Sequence, residues 1–92
     1  MTDRKHNKPI ELSPVFRKLI ERAPAEVKLA FREVYKMFSE NPNHPALRNH
    51  TLSGKYAGFR SIDVTDDWRA IYREKPERIK FVALGTHPQL YG

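Results

Sequence analysis

The hydrophobic positions change their period once along the chain. Over the first forty residues they recur every three to four: Val15, Phe16, Leu19, Ile20 and Ala23 form one stripe, with Arg17, Lys18, Glu21 and Arg22 opposite. That spacing predicts a short amphipathic helix. Ser13 and Pro14 supply its start, a serine oxygen for the first free amides and a proline where no N–H is needed. Pro24 closes this helix and can open a second through AEVKLAFREVYKMFSEN, whose apolar stripe is Val27, Phe31, Val34, Tyr35 and Phe38. Glu26 lies near the positive end of that helix's dipole. NPNHPAL (41–47), with its two prolines and two asparagines, is turn chemistry and ends the helical half.

Beyond it the period drops to two. LRNHTL reads as a strand and SGKYAG as a glycine-flanked connection, while FRSIDVT alternates so that Ile62 and Val64 face the core. WRAIYRE is the next strand, KPER a turn, and IKFVALG a further strand with the apolar density of a central position. PIEL, ahead of the first helix, can add a short edge strand. The predicted architecture is α+β: two N-terminal helices packed on one face of a small antiparallel sheet, whose other face must meet water or a ligand.

Ninety-two residues suffice for one modest core, so residues 1–92 are expected to form one domain, with the polar stretch 1–8 flexible. Without cysteine, neither disulfides nor a cysteine-based zinc site can hold the fold. No apolar run approaches the roughly 18–20 residues that cross a bilayer, and no signal-peptide pattern opens the chain, so a soluble, cytoplasmic protein with no membrane partner is expected. Seventeen Lys and Arg against eleven Asp and Glu give a formal net charge of +6, which attracts polyanions without choosing among them.

The polar residues of the second half supply the chemistry. On the predicted meander His50, Asp63, Asp67, Trp68 and His87 gather near one end of the sheet, with Lys55, Arg60, Arg69 and Arg73 in the same half. Two histidines with carboxylates and arginines suit RNA cleavage. Attack by a ribose 2′-OH on the adjacent phosphate needs a base, an acid for the leaving 5′ oxygen, and cations for the charge that builds on phosphorus. Histidine can take either proton-transfer role near neutral pH. Tyr91 or Trp68 could stack on a splayed base, although Trp68 also reads as a core anchor and Asp67 as turn chemistry. His6 and His44 lie in exposed-looking segments and receive no role. No HExxH or cysteine pattern supports a metal, and no cofactor is implied.

LRNHTLSGKYAGFRSIDVTDDWRAIYRE followed by IKFVALGTHPQLYG resembles the RelE/ParE superfamily of toxins from toxin–antitoxin pairs, and within it the YafQ-type mRNA endonucleases. The resemblance covers residues 8 to 92 and is carried by Leu52 and Gly54, by DW-x-x-IY, and by GTH-x-x-L-[FY]. It implies a microbial ribonuclease-like α+β fold that cuts mRNA on the translating 70S ribosome. It implies catalytic or RNA-positioning roles for His50, Asp67, His87 and Tyr91, with His87 the leading acid/base and Trp68 supporting the site. An acidic antitoxin is the implied partner, and operator DNA a further candidate reached through it. Two positions depart from the pattern: Asp63 stands where these enzymes carry a further histidine, and Ala83 where they carry an arginine. Arg69 or Arg73 are the candidates to replace that arginine. The competing readings are a non-enzymatic ParE-like toxin acting on DNA gyrase, and a basic nucleic-acid-binding domain without catalysis.

Overall fold

The computed structural model describes residues 8–91. In chain order the elements are β1 (Ile10–Leu12), α1 (Pro14–Arg22), α2 (Ala25–Glu40), β2 (His50–Thr51), β3 (Arg60–Asp63), β4 (Trp68–Glu74), β5 (Ile79–Thr86) and α3 (His87–Tyr91). Single 3₁₀ turns at Pro45–Leu47 and Gly54–Tyr56 flank β2.

Ser13 caps α1 as its sequence position predicts: its Oγ accepts from the Phe16 N–H at 3.0 Å, with Pro14 in the first turn. Along α2 the buried residues are Val27, Phe31, Val34 and Phe38, the i, i+4, i+7, i+11 series of one helical face. Both helices lie on one side of a five-stranded sheet of order β1-β5-β4-β3-β2. β2 to β5 form the expected antiparallel meander, and β5 sits inside the sheet between β1 and β4.

Two expectations need correction. The sheet is not wholly antiparallel, because β1 pairs with β5 in parallel, Ile10 opposite Ile79 and Leu12 opposite Phe81. Parallel neighbours need a crossover connection, and the chain from α1 to β4 supplies one. The strand expected over 47–52 shrinks to His50 and Thr51, because Leu47 is drawn fully under the helices by the 3₁₀ turn that starts at Pro45. At the end of the stretch expected to be flexible, Lys8 Nζ is 2.6 Å from Glu74 Oε2 and donates to the Lys75 carbonyl at 3.1 Å. Residues 1–7, also expected to be flexible, lie outside the described residues.

Phe81 is the hub of the core. Its ring centroid lies 5.3–5.8 Å from those of Phe16, Phe31, Phe38 and Tyr72, in tilted or edge-on arrangements favoured by ring quadrupoles. An irregularity on β5 decides what faces the other way. Tyr72 pairs with Phe81 and Ile71 with Ala83, so Val82 is skipped, and both Phe81 and Leu84 point to the helices. Ala83 and Gly85 are thereby left on the opposite face.

Candidate active site

The register fixes which side chains share that opposite face. His50 is opposite Ser61, Ser61 opposite Ile71 and Ile71 opposite Ala83, while Asp63, Arg69 and Gly85 pair across the sheet as the next row of the same face. α3 folds back over the far end of the row. A Cβ on Gly85 would lie 3.1 Å from Gln89 Oε1, 3.3 Å from Gln89 Cβ and 3.4 Å from Leu90 Cγ, so only glycine lets the turn lie so close without displacing it.

Thr86 and Gln89 hold α3 by a reciprocal cap: the Thr86 N–H donates to Gln89 Oε1 at 2.8 Å, and the Gln89 N–H donates to Thr86 Oγ1 at 3.4 Å. This fixes the two side chains that close the chain's chemistry. The His87 and Tyr91 rings stand 4.7 Å apart, and Tyr91 meets Tyr56 edge-on at 5.8 Å.

Two open clefts result. One of about 250 Å³ is walled by His50, Ser61, Arg69, His87 and Tyr91. Its neighbour, about 370 Å³, is lined by Asp67, Trp68, Arg69 and His87 among others. His87 and Arg69 therefore face both, with His50 on one side and Asp67 on the other. Thr65 Oγ1 holds the turn that presents Asp67, accepting from the N–H groups of Asp67 at 3.3 Å and Trp68 at 3.1 Å.

His50 is oriented by its neighbour. Its Nδ1 lies 2.8 Å from the Arg48 carbonyl, which can only accept, so Nδ1 carries the proton and Nε2 of the neutral ring is the free acceptor. Arg48 adopts φ 49°, a left-handed conformation costly for a side chain with a Cβ, and this turns its carbonyl toward the ring. The Arg48 Nε also lies 3.1 Å from Asp63 Oδ2.

Asp63 takes a second guanidinium on its other oxygen, with Arg69 Nε at 3.1 Å from Oδ1. Arg69 Nη1 in turn donates to the carbonyls of Thr65, Asp66 and Trp68 at 3.0–3.1 Å. The guanidinium is anchored along two of its three nitrogens, which leaves the Nη2 edge as its donor end among the described residues.

Not every candidate joins the site. Arg60 lies on the helix side, donating through Nε to Asn49 Oδ1 at 2.7 Å, while Asn49 Nδ2 donates to the Tyr72 hydroxyl at 2.8 Å. Burial pushes the Tyr72 pKa up from 10.0, partly offset by the Asn49 hydrogen bond. Arg73 stacks over Phe59 at 5.6 Å and lines neither cleft. Lys55 stands over Tyr56 at 5.4 Å, one ring away from Tyr91. Trp68 is half-buried against the core while an edge of it lines the Asp67 cleft. Arg48 and Ser61 were not singled out from sequence. Among the described residues no group of three or more His, Asp or Glu side chains could hold a metal ion.

The sequence profile of the family described as "Bacterial toxin of type II toxin-antitoxin system, YafQ" matches residues 8–92. The chain belongs to the YafQ toxin family. A curated relative, the mRNA interferase toxin YafQ of Escherichia coli K12, is 36% identical over 45 residues, which is 49% of this chain and 49% of the relative. The match thus spans about half the length of that relative. Over the whole fold, the crystal structure of YafQ from E. coli BL21(DE3) superposes with a TM-score of 0.70 at 26% identity, covering 94% of this chain and 100% of that one. A chain of the crystal structure of the E. coli DinJ-YafQ complex superposes with a TM-score of 0.68 at 27% identity, covering 94% of this chain and 100% of that one. The α+β reading of the sequence stands on these likenesses as well as on the elements themselves.

Proposed function

We propose that this member of the YafQ toxin family is an endoribonuclease that cleaves mRNA on the translating ribosome, acting in the cytoplasm as the toxin of a type II toxin–antitoxin pair, with the whole chain as one toxin domain. One observation carries the chemistry: His50 and His87 wall the same cleft, with Arg69 beside both. The name of the E. coli relative, an mRNA interferase toxin, supports the same reaction.

In this reading an RNA phosphate lies between the two imidazoles. His50 Nε2, free because Nδ1 is committed to the Arg48 carbonyl, takes the proton of the ribose 2′-OH as the oxygen attacks phosphorus. The new P–O2′ bond forms as the P–O5′ bond breaks, and His87 gives its proton to the departing 5′ oxygen. A cyclic 2′,3′-phosphate and a 5′-hydroxyl are left. Asp67 lines the second cleft together with His87 and helps to hold the geometry of that side of the site. Arg69 takes the place of the arginine that Ala83 does not supply: it lies on the same face, opposite Gly85 and diagonal to Ala83, whereas Arg73 is held over Phe59. Asp63 positions Arg69 and Arg48, and Tyr91, with Tyr56 edge-on to it and Lys55 over the Tyr56 ring, offers a ring on which a base can stack, while Trp68 supports the Asp67 side.

An antitoxin is the expected partner. The described complex of the E. coli relative with DinJ supports one, and an acidic segment would suit a chain of net charge +6; operator DNA would then be reached through that partner.

Inducing wild type and His87→Ala in a bacterial host, with primer extension on cellular mRNA, tests the reading. New 5′ ends within translated messages from the wild type alone support it. Growth arrest with intact mRNA overturns it and directs the next assay to gyrase.

A further inference from the structure

Ser61 is the one buried side chain among the described residues whose polar atom has no hydrogen-bond partner. It is 0% exposed and yet belongs to the wall of the 250 Å³ cleft, so its hydroxyl is buried just behind the cleft surface without a protein group to meet it. An orphaned hydroxyl in such a place costs free energy that a small apolar residue would avoid. Alanine would fill the same space.

Its neighbours indicate what would satisfy it. Ser61 is directly opposite His50 across the β2–β3 pair, which puts their Cβ atoms about 4.5–5.5 Å apart. It is opposite Ile71 and hence diagonal to Arg69, at about 7–8 Å between Cα atoms. Arg69, with its Nη2 edge uncommitted, and Ser61 are therefore two donor residues on the wall of one cleft that His50 and His87 also line, beside an Asp63–Arg48–Arg69 trio that carries a surplus positive charge. A wall with two donors, one of them cationic, takes an anionic oxygen, and neither a base edge nor a cation fits it as well.

We propose that Ser61 is a substrate-binding residue that donates its hydroxyl to a nonbridging oxygen of the RNA phosphodiester, with Arg69 holding the same phosphate. This rests on the RNA-cleavage reading for the identity of the ligand, but the donor pair can be tested without cleavage. Serine here does what neither departure of the chain from its family would suggest: it adds a neutral donor beside the guanidinium, on a face where position 83 supplies only a methyl group.

The experiment uses purified wild type and Ser61→Ala, each titrated with inorganic phosphate and with a dinucleotide carrying a 2′-deoxy sugar, which cannot be cleaved by 2′-OH attack. Binding is followed by NMR at the His50 and His87 ring protons, and thermal unfolding is recorded without ligand. The expected result has opposite signs in the two readouts. Ser61→Ala binds the dinucleotide about tenfold more weakly, the loss of one hydrogen bond to a charged group, while its ligand-free melting temperature rises by about 4 °C or more as the orphaned hydroxyl disappears. Binding that is unchanged in Ser61→Ala overturns the proposal, as does a fall in melting temperature, which would make the hydroxyl a structural hydrogen-bonding group. The two readings fail separately. Ser61-dependent dinucleotide binding without mRNA cleavage in cells sinks the endonuclease reading and keeps the phosphate donor; cleavage that survives Ser61→Ala at the wild-type rate does the reverse.

Discussion

At the scale of single residues, Asp63 shows how one carboxylate can tie two cations together. Both of its oxygens are engaged, by Arg48 and by Arg69, at 3.1 Å each. Asp63→Asn keeps the shape and removes the charge, so Arg69 loses half of its anchor. Cleavage in a reconstituted translation reaction should fall about 10- to 100-fold, the size expected when a catalytic cation drifts by about an ångström. The pH profile should keep both limbs; losing its acidic limb would make Asp63 the base instead. How much of this was legible differs from residue to residue. His50, Asp67, His87 and Tyr91 could be named from the resemblance, and the structure groups them around two clefts. Arg60 was readable and misplaced: the alternation that sends Ile62 and Val64 to the core sends Arg60 with them, away from the cleft. Arg48 was not readable, because its role depends on a left-handed backbone that no glycine or asparagine announces. The Asp63–Arg69 pair needs the register of β3 against β4, which alternation alone does not specify.

Among the elements, α3 does the most with the least. Five residues cannot hold a helix alone, and nucleation is unfavourable, so His87 and Tyr91 depend on the Thr86–Gln89 cap and on contact with Gly85. Gln89→Ala removes one half of the cap. Global stability should drop by only about 1 kcal/mol or less, as for a single lost cap, while cleavage falls at least tenfold. Chemical denaturation and primer extension on the same variant check both halves of that statement; equal proportional losses would show that α3 is fixed by its core contacts instead. The threonine and glutamine spacing of the cap stands in THPQ, yet the strand ahead of it draws attention to His87 as a residue simply following β5. The two long helices and three of the four meander strands were legible because each carries a stripe or an alternation of sufficient length. β1 was visible as a strand but not as a parallel one, since three residues encode no direction.

For the whole molecule, stability concentrates where the sheet meets the helices. Tyr72 belongs to that layer, 2% exposed, with its ring against Phe38 and Phe81 and its hydroxyl accepting from Asn49. Burial holds its pKa above 10.0, so the folded state favours the neutral phenol. Because the folded value exceeds the unfolded one, this contribution is complete below about pH 10 and is lost as the pH rises through the folded value. Melting curves between pH 8 and 12 should show wild type losing stability above about pH 10 more steeply than Tyr72→Phe, which starts about 1 kcal/mol lower for want of the Asn49 hydrogen bond. Parallel curves for the two proteins would remove Tyr72 from the alkaline transition. The position of β5 has a consequence in time as well as in space. Ile79–Thr86 is made after every other strand, yet it joins β1 to β4 and provides Phe81, around which the helices pack. Until those residues are synthesised, the two helices have no finished sheet to cover, and His50 and Arg69 have no His87 to face. A growing copy of this chain therefore lacks both core and cleft until nearly all of the described fold has been translated.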